Sequence, residues 1–271
     1  MPSERWIRRD LDGEAITRMY LEEKKSSNQI AKELSTSHQT INRLLRDLGV
    51  SRRNGSESNL VSWGNRKYLD VVIEERQDQI LVGTLLGDGH VGIQASSINP
   101  SFSVGHREQD KDYLFWKYEE LKTTGLFKSP PFPRQKPING KIFTRWVIRS
   151  IQHPVLKEYL NLMYTENRNI ITLRTLERMG LLGLSIYYQD DGGFHNRRPH
   201  LYTYGYNEDE IRLLKYFLDS RWDLKFELKP VKYGRPKKEG FILVLERASI
   251  PRFKELIVPY ILPCMSRKIP P

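Results

Sequence analysis

The sequence predicts an α+β chain: a small all-α segment, then a larger region in which the order helix, strands, helix, strands, helix occurs twice. Three observations carry this. Two apolar helical runs, each ending in Asp-Gly, are centred about a hundred residues apart. Each is followed by stretches in which apolar and polar residues alternate, the period of a half-buried strand. Ahead of both lie three short amphipathic runs, closed by Arg52-Arg53-Asn54-Gly55-Ser56-Glu57-Ser58-Asn59. That segment is polar and aperiodic and reads as a linker. The expected division is a helical domain over 1–53, a linker over 54–75 and a main domain over 76–271.

Composition narrows the function. Among 271 residues, 44 Lys and Arg face 33 Asp and Glu, a formal charge of +11. Such a surplus favours a polyanionic partner, nucleic acid ahead of anionic membrane. With 38% apolar and 11% aromatic residues the chain can bury a core, which excludes a mainly disordered protein. Cys264 is the one cysteine, so there is no internal disulfide and no multi-cysteine zinc site. Met1–Asp10 lacks the apolar run of a signal peptide, and no stretch approaches the ~20 apolar residues that span a bilayer. The expectation is an intracellular protein without a membrane partner, cytoplasmic in a bacterium or phage, with an organellar matrix as the second choice.

In the N-terminal segment, Ile16, Met19 and Tyr20 recur at helical spacing within Glu14–Glu23. Ser27 or Asn28 can cap a second helix with Ile30, Ala31 and Leu34 on its apolar face. The turn Ser35-Thr36-Ser37 leads to a third helix bearing Ile41, Leu44, Leu45 and Leu48, closed by Gly49. Two short helices joined by a tight polar turn have the spacing of a helix-turn-helix. The segment resembles that of site-specific recombinases at Ile30-Ala31, Leu34, Ser37, Thr40-Ile41, Arg43, Leu44 and Gly49-Val50-Ser51-Arg52-Arg53. The resemblance implies that the third helix enters a major groove, with His38, Gln39, Asn42, Arg43 and Arg46 on its outer face and Arg52 and Arg53 along the backbone or in the adjacent minor groove.

The strongest signal is the run Leu81-Val82-Gly83-Thr84-Leu85-Leu86-Gly87-Asp88-Gly89. Gly83 and Gly87 are four apart on one helical face and admit another helix backbone at close range. The Gly after each Asp can adopt φ > 0 and stop its helix. A second copy is Leu184-Ser185-Ile186-Tyr187-Tyr188-Gln189-Asp190-Asp191-Gly192-Gly193, in which Ile186 stands where the first has its interface glycine. If the two helices pack side by side, Asp88 and Asp191 arrive together at one end. Two carboxylates at the negative ends of helix dipoles repel, and a divalent cation between them resolves the conflict.

These runs closely resemble the motif of the LAGLIDADG endonucleases, the second copy in its more aromatic form. A third signature, Pro259-Tyr260-Ile261-Leu262-Pro263 followed by Arg267-Lys268-Ile269-Pro270, is similar to the tail of monomeric intron-encoded members from yeast mitochondria. The resemblance covers about residues 76–271 and implies a pseudo-twofold pair of αββαββα halves forming a DNA-binding saddle. It implies that Asp88 and Asp191 hold Mg²⁺, two or more divalent ions being shared at the motif interface. Gly87 and Asp190 belong to that metal site, Asp190 at one remove. It also implies that Lys268 stands near the scissile phosphate, and Arg168 at the corresponding place in the first half. Arg for the family's Lys keeps the charge but changes its geometry. His90 and His195, close behind the acids, lack a second ligand at metal spacing and read as polar loop residues.

The remaining patterns fit a sheet-faced DNA reader. Thr144–Arg149 puts Arg145, Val147 and Arg149 on one face and Trp146 and Ile148 on the other. Leu201–Tyr206 puts three tyrosines on one face. Phe226–Lys229 and Phe241–Glu246 form a strand pair joined by the basic loop 232–238, and helices are expected over Asp110–Lys122, Val155–Tyr164 and Asp209–Leu218. Candidate DNA contacts are Arg134, Lys136, Arg145, Arg149, Lys229, Arg235 and Lys237.

The expected function is therefore a monomeric, Mg²⁺-dependent, site-specific DNA endonuclease. It would cut each strand once across the minor groove of a long, non-palindromic site, leave short 3′ overhangs and need no obligate protein partner. A non-catalytic DNA-binding transcriptional regulator is one alternative. An RNA maturase, with its own intron RNA as partner, is the other.

Overall fold

Three capped helices form the N-terminal part of the computed structural model, which describes residues 11–54, 57–58, 70–95, 97–138, 141–165, 168–234 and 236–271. Helix α1 (Gly13–Leu21) begins at Asp12, whose carboxylate accepts from the Glu14 and Ala15 amides. Helix α2 (Ser27–Glu33) starts one residue earlier than Ser27 capping implies: Ser26 is its cap, reciprocated by Gln29 in a capping box. Ser37 caps α3 (His38–Asp47), and Gly49 closes it at φ 73°, in the left-handed region that glycine takes readily. Ile16, Tyr20, Ile30, Ala31, Ile41 and Leu45 are buried together as the core of this part.

The chain divides into two compact units, and the larger takes in Leu69–Ile93 and Asn99–Pro271. Its first half runs α4 (Glu75–Leu86), β1 (His90–Gly92), β2 (Ser101–Arg107), α5 (Lys111–Lys122), β3 (Phe132–Ile138), β4 (Lys141–Arg149) and α6 (Leu156–Met163). A two-stranded ribbon, β5 (Tyr164–Thr165) with β6 (Arg168–Asn169), and α7 (Leu173–Arg178) lead to the second half. That half repeats the order as α8 (Leu181–Asp191), β7 (Gly192–His195), β8 (Arg198–Tyr202), α9 (Glu208–Trp222), β9 (Phe226–Tyr233), β10 (Lys238–Leu245) and α10 (Ile250–Ile257). Both sheets are antiparallel, ordered β1-β2-β4-β3 and β7-β8-β10-β9. This is the predicted pseudo-twofold αββαββα pair. The ribbon and α7 carried no recognised signal in the sequence.

Alternation fixes which side of each sheet is buried. Phe102, Val104 and Ile148 face the core, so Ser103, Gly105, Arg145, Val147 and Arg149 share the opposite face. Tyr206 departs from the alternation expected of Leu201–Tyr206. Strand β8 ends at Tyr202, and the Tyr206 hydroxyl instead donates to the Leu86 carbonyl at 3.0 Å. Of the three tyrosines expected on one face, Tyr202 and Tyr204 remain there, with ring centroids 5.6 Å apart.

Helices α4 and α8 pack at the centre, and glycine sets their separation. A Cβ on Gly83 would lie 2.3 Å from the Gly183 carbonyl oxygen, and one on Gly87 would lie 2.5 Å from the Asp190 Cβ. The second helix thus does bring an interface glycine, Gly183, one turn ahead of Ile186. Ile186 turns into the core and is fully buried. The glycines after the acids act through size and not through φ, since neither Gly89 nor Gly192 has a positive φ. A Cβ on Gly89 would meet the Thr84 oxygen at 2.7 Å, and one on Gly192 would meet the Tyr188 ring at 2.2 Å.

Gly83→Ala should destabilise the protein by about 3 kcal/mol, at the upper end of the cost of overpacking, because the clash is with backbone. Urea denaturation measures this. An unchanged midpoint would show that the helices can separate at no cost.

Candidate active site

The close packing of α4 and α8 carries two acids to one end of the pair. Asp88 lies two residues beyond the end of α4, and Asp191 is the last residue of α8. There, His106, which sequence reasoning did not single out, meets two residues expected at the metal site. Ligand atoms of Asp88, His106 and Asp190 all lie within 4.8 Å of one another, a candidate metal-binding cluster. His106 comes from β2 on the core-facing side of its sheet, with Nδ1 3.4 Å from Asp88 Oδ2 and Nε2 3.7 Å from Asp190 Oδ1.

Lys117 completes the group. Its ammonium lies 2.7 and 2.8 Å from the two Asp190 oxygens, both side chains are fully buried, and it sits 4.4 Å from the Tyr113 ring centroid. Burial lowers its pKa, and the Asp190 charge opposes that shift. The sequence held a usable signal for it. Tyr113, Leu114, Lys117 and Leu121 form one stripe of α5 at helical spacing, and all are buried, so a lysine occupies an apolar position. His106, on an alternating strand, gave no comparable signal.

The two predicted acids differ electrostatically. Burial raises the Asp88 pKa, but the hydrogen bond and charge of His106, with Lys117 and Arg145, outweigh it and leave the carboxyl below its usual value. Asp191 is pushed up to about 7 by burial and by the charges of Asp88 and Asp190. Lys268 and Lys117 offset this only in part. The repulsion expected from two convergent helix ends is therefore present, and Asp191 carries it.

The tail brings Lys268 to the same place. Tyr188 donates to the Lys268 carbonyl at 2.9 Å, and Gln189 bonds Tyr260 and Leu262. The Lys268 ammonium donates to the Gly192 carbonyl, beside Asp191. Burial and neighbouring Arg267 lower its pKa, while Asp190, Asp191 and Asp110 oppose the shift. Asp88, His106, Arg145, Asp190, Arg267 and Lys268 line an open pocket of about 540 Å³. A somewhat larger cleft, about 680 Å³, lies near the start of the same helix pair among Glu75, Arg76 and Trp222 and holds none of the predicted residues.

The structure places Arg168 beside the middle helix of the second half. Its guanidinium makes two hydrogen bonds to Glu210, at 2.8 and 2.9 Å, near the start of α9. The counterpart contact is Arg267 with Asp110, 2.8 Å apart, at the start of α5. Each half's tail thus clasps the middle helix of the other half. In the second half Lys268, next to the clasping Arg267, reaches the acids, whereas in the first half Arg168 is itself the clasp.

Among the predicted DNA contacts, Arg134, Lys136, Arg145 and Arg149 are exposed on the open face of the first sheet. Lys229, exposed on β9, lies 3.1 Å from Glu227, and Lys237 is exposed in the β9–β10 turn. Arg235 lies outside the described residues. On α3, His38, Gln39, Arg43 and Arg46 are exposed. Asn42 is not free, because its side-chain oxygen accepts from the Ser27 hydroxyl at 2.7 Å. Arg52 is exposed, whereas Arg53 is a clamp, donating to the Lys25 and Tyr20 carbonyls with its guanidinium 3.9 Å from the Tyr20 ring centroid.

Residues 78–253 match the model of the LAGLIDADG DNA endonuclease family. The chain belongs to this family. It is 23% identical over 215 residues to the DNA endonuclease I-ChuI of Chlamydomonas applanata, which spans 73% of this chain and 95% of that protein. It is 21% identical over 198 residues to the cytochrome b mRNA maturase bI2 of Saccharomyces cerevisiae, across 70% of this chain and 46% of the maturase. Matches to several mycobacterial RecA proteins likewise span under half of the relative. In fold the chain is similar to the homing endonuclease I-WcaI, solved bound to its DNA recognition sequence. The TM-score is 0.65 at 18% identity, covering 83% of this chain and 96% of that one. The LAGLIDADG family and fold are those of DNA-binding, metal-dependent nucleases. No helix among the described residues is long and apolar enough to cross a membrane.

Two outcomes follow. Without metal, a carboxyl whose native pKa is raised from 3.8 to about 7 binds more protons folded than unfolded across that window, so its contribution to stability falls as pH rises. The stability of Asp191→Asn relative to wild type should therefore increase from pH 4 to pH 7 and level off above, as read by urea denaturation in EDTA. A pH-independent difference would contradict the assignment. Lys117→Met should cost roughly 3–5 kcal/mol by leaving Asp190 buried and unpaired, and Lys117→Met with Asp190→Asn should recover most of it. Equal losses in both variants would deny the coupling.

Proposed function

We propose that this LAGLIDADG protein is a site-specific endonuclease that hydrolyses one phosphodiester on each strand of duplex DNA across the minor groove, leaving short 3′ overhangs. The observation that carries the reading is the convergence of Asp88 and Asp191 with Lys268 at the ends of two glycine-packed helices. The donor set suits Mg²⁺: hard carboxylate oxygens, one of them with its charge poorly relieved. Asp88 and Asp191 would hold the cation. Asp190 is bound on both oxygens by Lys117, which suits it to positioning His106 and Asp88. A divalent ion there would acidify a water and offset charge on the scissile phosphodiester and its leaving oxygen. Lys268 would stand at that phosphate, and Arg168 would serve by closing the first tail onto Glu210.

The exposed outer face of α3, with His38, Gln39, Arg43 and Arg46, would contact a flanking major groove as a helix-turn-helix and raise affinity by tethering. Two catalytic half-sites on one chain need no symmetric partner, so the target need not be palindromic. A second reading, binding of its own intron RNA as a maturase, is favoured by the similarity to the yeast maturase. Intron binding that survives Asp88→Asn would support it.

Incubating the full chain with a randomised duplex library in Mg²⁺ or EDTA, then sequencing new ends, tests the main reading. Recurrent Mg²⁺-dependent ends with 3′ overhangs are expected. Asp88→Asn or Asp191→Asn should lower cutting at least 10³-fold while leaving binding within a few-fold, because each removes a group that acts on the transition state. Either variant cutting at the wild-type rate would overturn the assignment.

A further inference from the structure

The two sheets share one register but not one chemistry. Ser103 pairs with His90 on one side and Arg149 on the other, and His200 pairs in the same way with Gly193 and Val244. Laying the sheets over each other on that correspondence sets Arg149 against Val244, Arg145 against Gly240 and Arg134 against Val231. Lys136 falls against Tyr233, and Arg107, four residues past Ser103, against Tyr204. Each of these five cations is exposed and each counterpart is uncharged, though Arg107 meets Asp110 at 2.9 Å within the protein.

The exchange also runs the other way, with a different result. Lys229 and Lys238 stand where the first face has Phe132 and Phe143. Lys229 shares the Glu227 carboxylate with Arg198, at 3.1 and 2.7 Å, so much of that charge is met within the protein. An aromatic row runs across the second face instead. His195, His200, Tyr202, Tyr204 and Tyr233 follow ring to ring, with successive centroids 6.3, 6.5, 5.6 and 4.4 Å apart, the last two contacts stacked. Ile242 and Val244 on the same face are buried.

Guanidinium groups match the paired acceptors of guanine and the oxygens of phosphate, and an aromatic and aliphatic surface matches neither. The apolar group that duplex DNA offers in its major groove is the thymine methyl. Resting on the endonuclease reading above, we propose that the two halves read their half-sites by different chemistry. The first half takes guanine edges and phosphates through Arg134, Arg145 and Arg149. The second takes a thymine-rich half-site, its methyl groups packed on the row from Tyr202 through Tyr204 to Tyr233.

A randomised duplex library, bound by the full chain without divalent metal and then sequenced, gives the two half-site preferences. One should contain guanine and the other should be thymine-rich. Uracil in place of thymine removes the methyl alone. In the thymine-rich half-site it should weaken binding about fourfold per buried methyl, and in the other half-site it should change nothing. Tyr204→Ala or Tyr233→Ala should abolish the uracil effect, whereas Arg145→Gln should keep it and relax the guanine preference. Half-sites of like composition, uracil without effect in both, or a uracil effect that survives both tyrosine variants would overturn the inference while leaving DNA binding in place. A library from which nothing is enriched would overturn the endonuclease reading and this inference with it.

Discussion

The backbone contact between Gly83 and Gly183 is the constraint on which the rest depends. A side chain at either position holds two helices farther apart, and the acids at their ends separate with them. Close packing costs little in the helices themselves, because α4 from Ile80 onward and α8 from Leu182 to Gln189 are buried and draw stability from the shared core. The electrostatic cost falls at the far end, where Asp88, Asp190 and Asp191 crowd together. The fold answers part of it with its own cation, the buried Lys117 on Asp190. The remainder falls on Asp191, where Lys268 offsets part of it.

Much of this was legible. The two Asp-Gly helices, the strand patterns after them and the basic tail led to the right architecture, because glycine spacing and period-two alternation are local and each reports directly on packing. The misreadings have physical causes. Ile186 is the position that matches Gly83 between the motif copies, but the helices make their close contact one turn earlier, at Gly183. Tyr206 continued a perfect alternation and yet left the strand, because its hydroxyl found a carbonyl on α4. Alternation carries no information about where a strand stops.

The site itself was half legible. Asp88, Asp191 and Lys268 belong to contiguous motifs, whereas His106 and Lys117 enter from a strand and a helix of the intervening segment. Only the tertiary fold brings them together. For Arg168, Arg53 and Asn42, resemblance to known motifs suggested a role at DNA but could not show their partners inside the protein, which are Glu210, the Lys25 and Tyr20 carbonyls and Ser27. Sequence reveals a cation's presence more readily than its partner. The same holds for the sheet faces, where basic residues counted together conceal a division between a guanidinium face and an aromatic one.

The central claim is that Asp88 and Asp191, brought together by the helix packing, share a divalent cation. Titrating the full chain with Mn²⁺, read by electron paramagnetic resonance, tests it most directly. A bound Mn²⁺ is expected in the wild type and is lost in both Asp88→Asn and Asp191→Asn. Asp191→Asn titrating like the wild type while Asp190→Asn abolishes binding would contradict it, and would move the cation to the cluster of Asp88, His106 and Asp190.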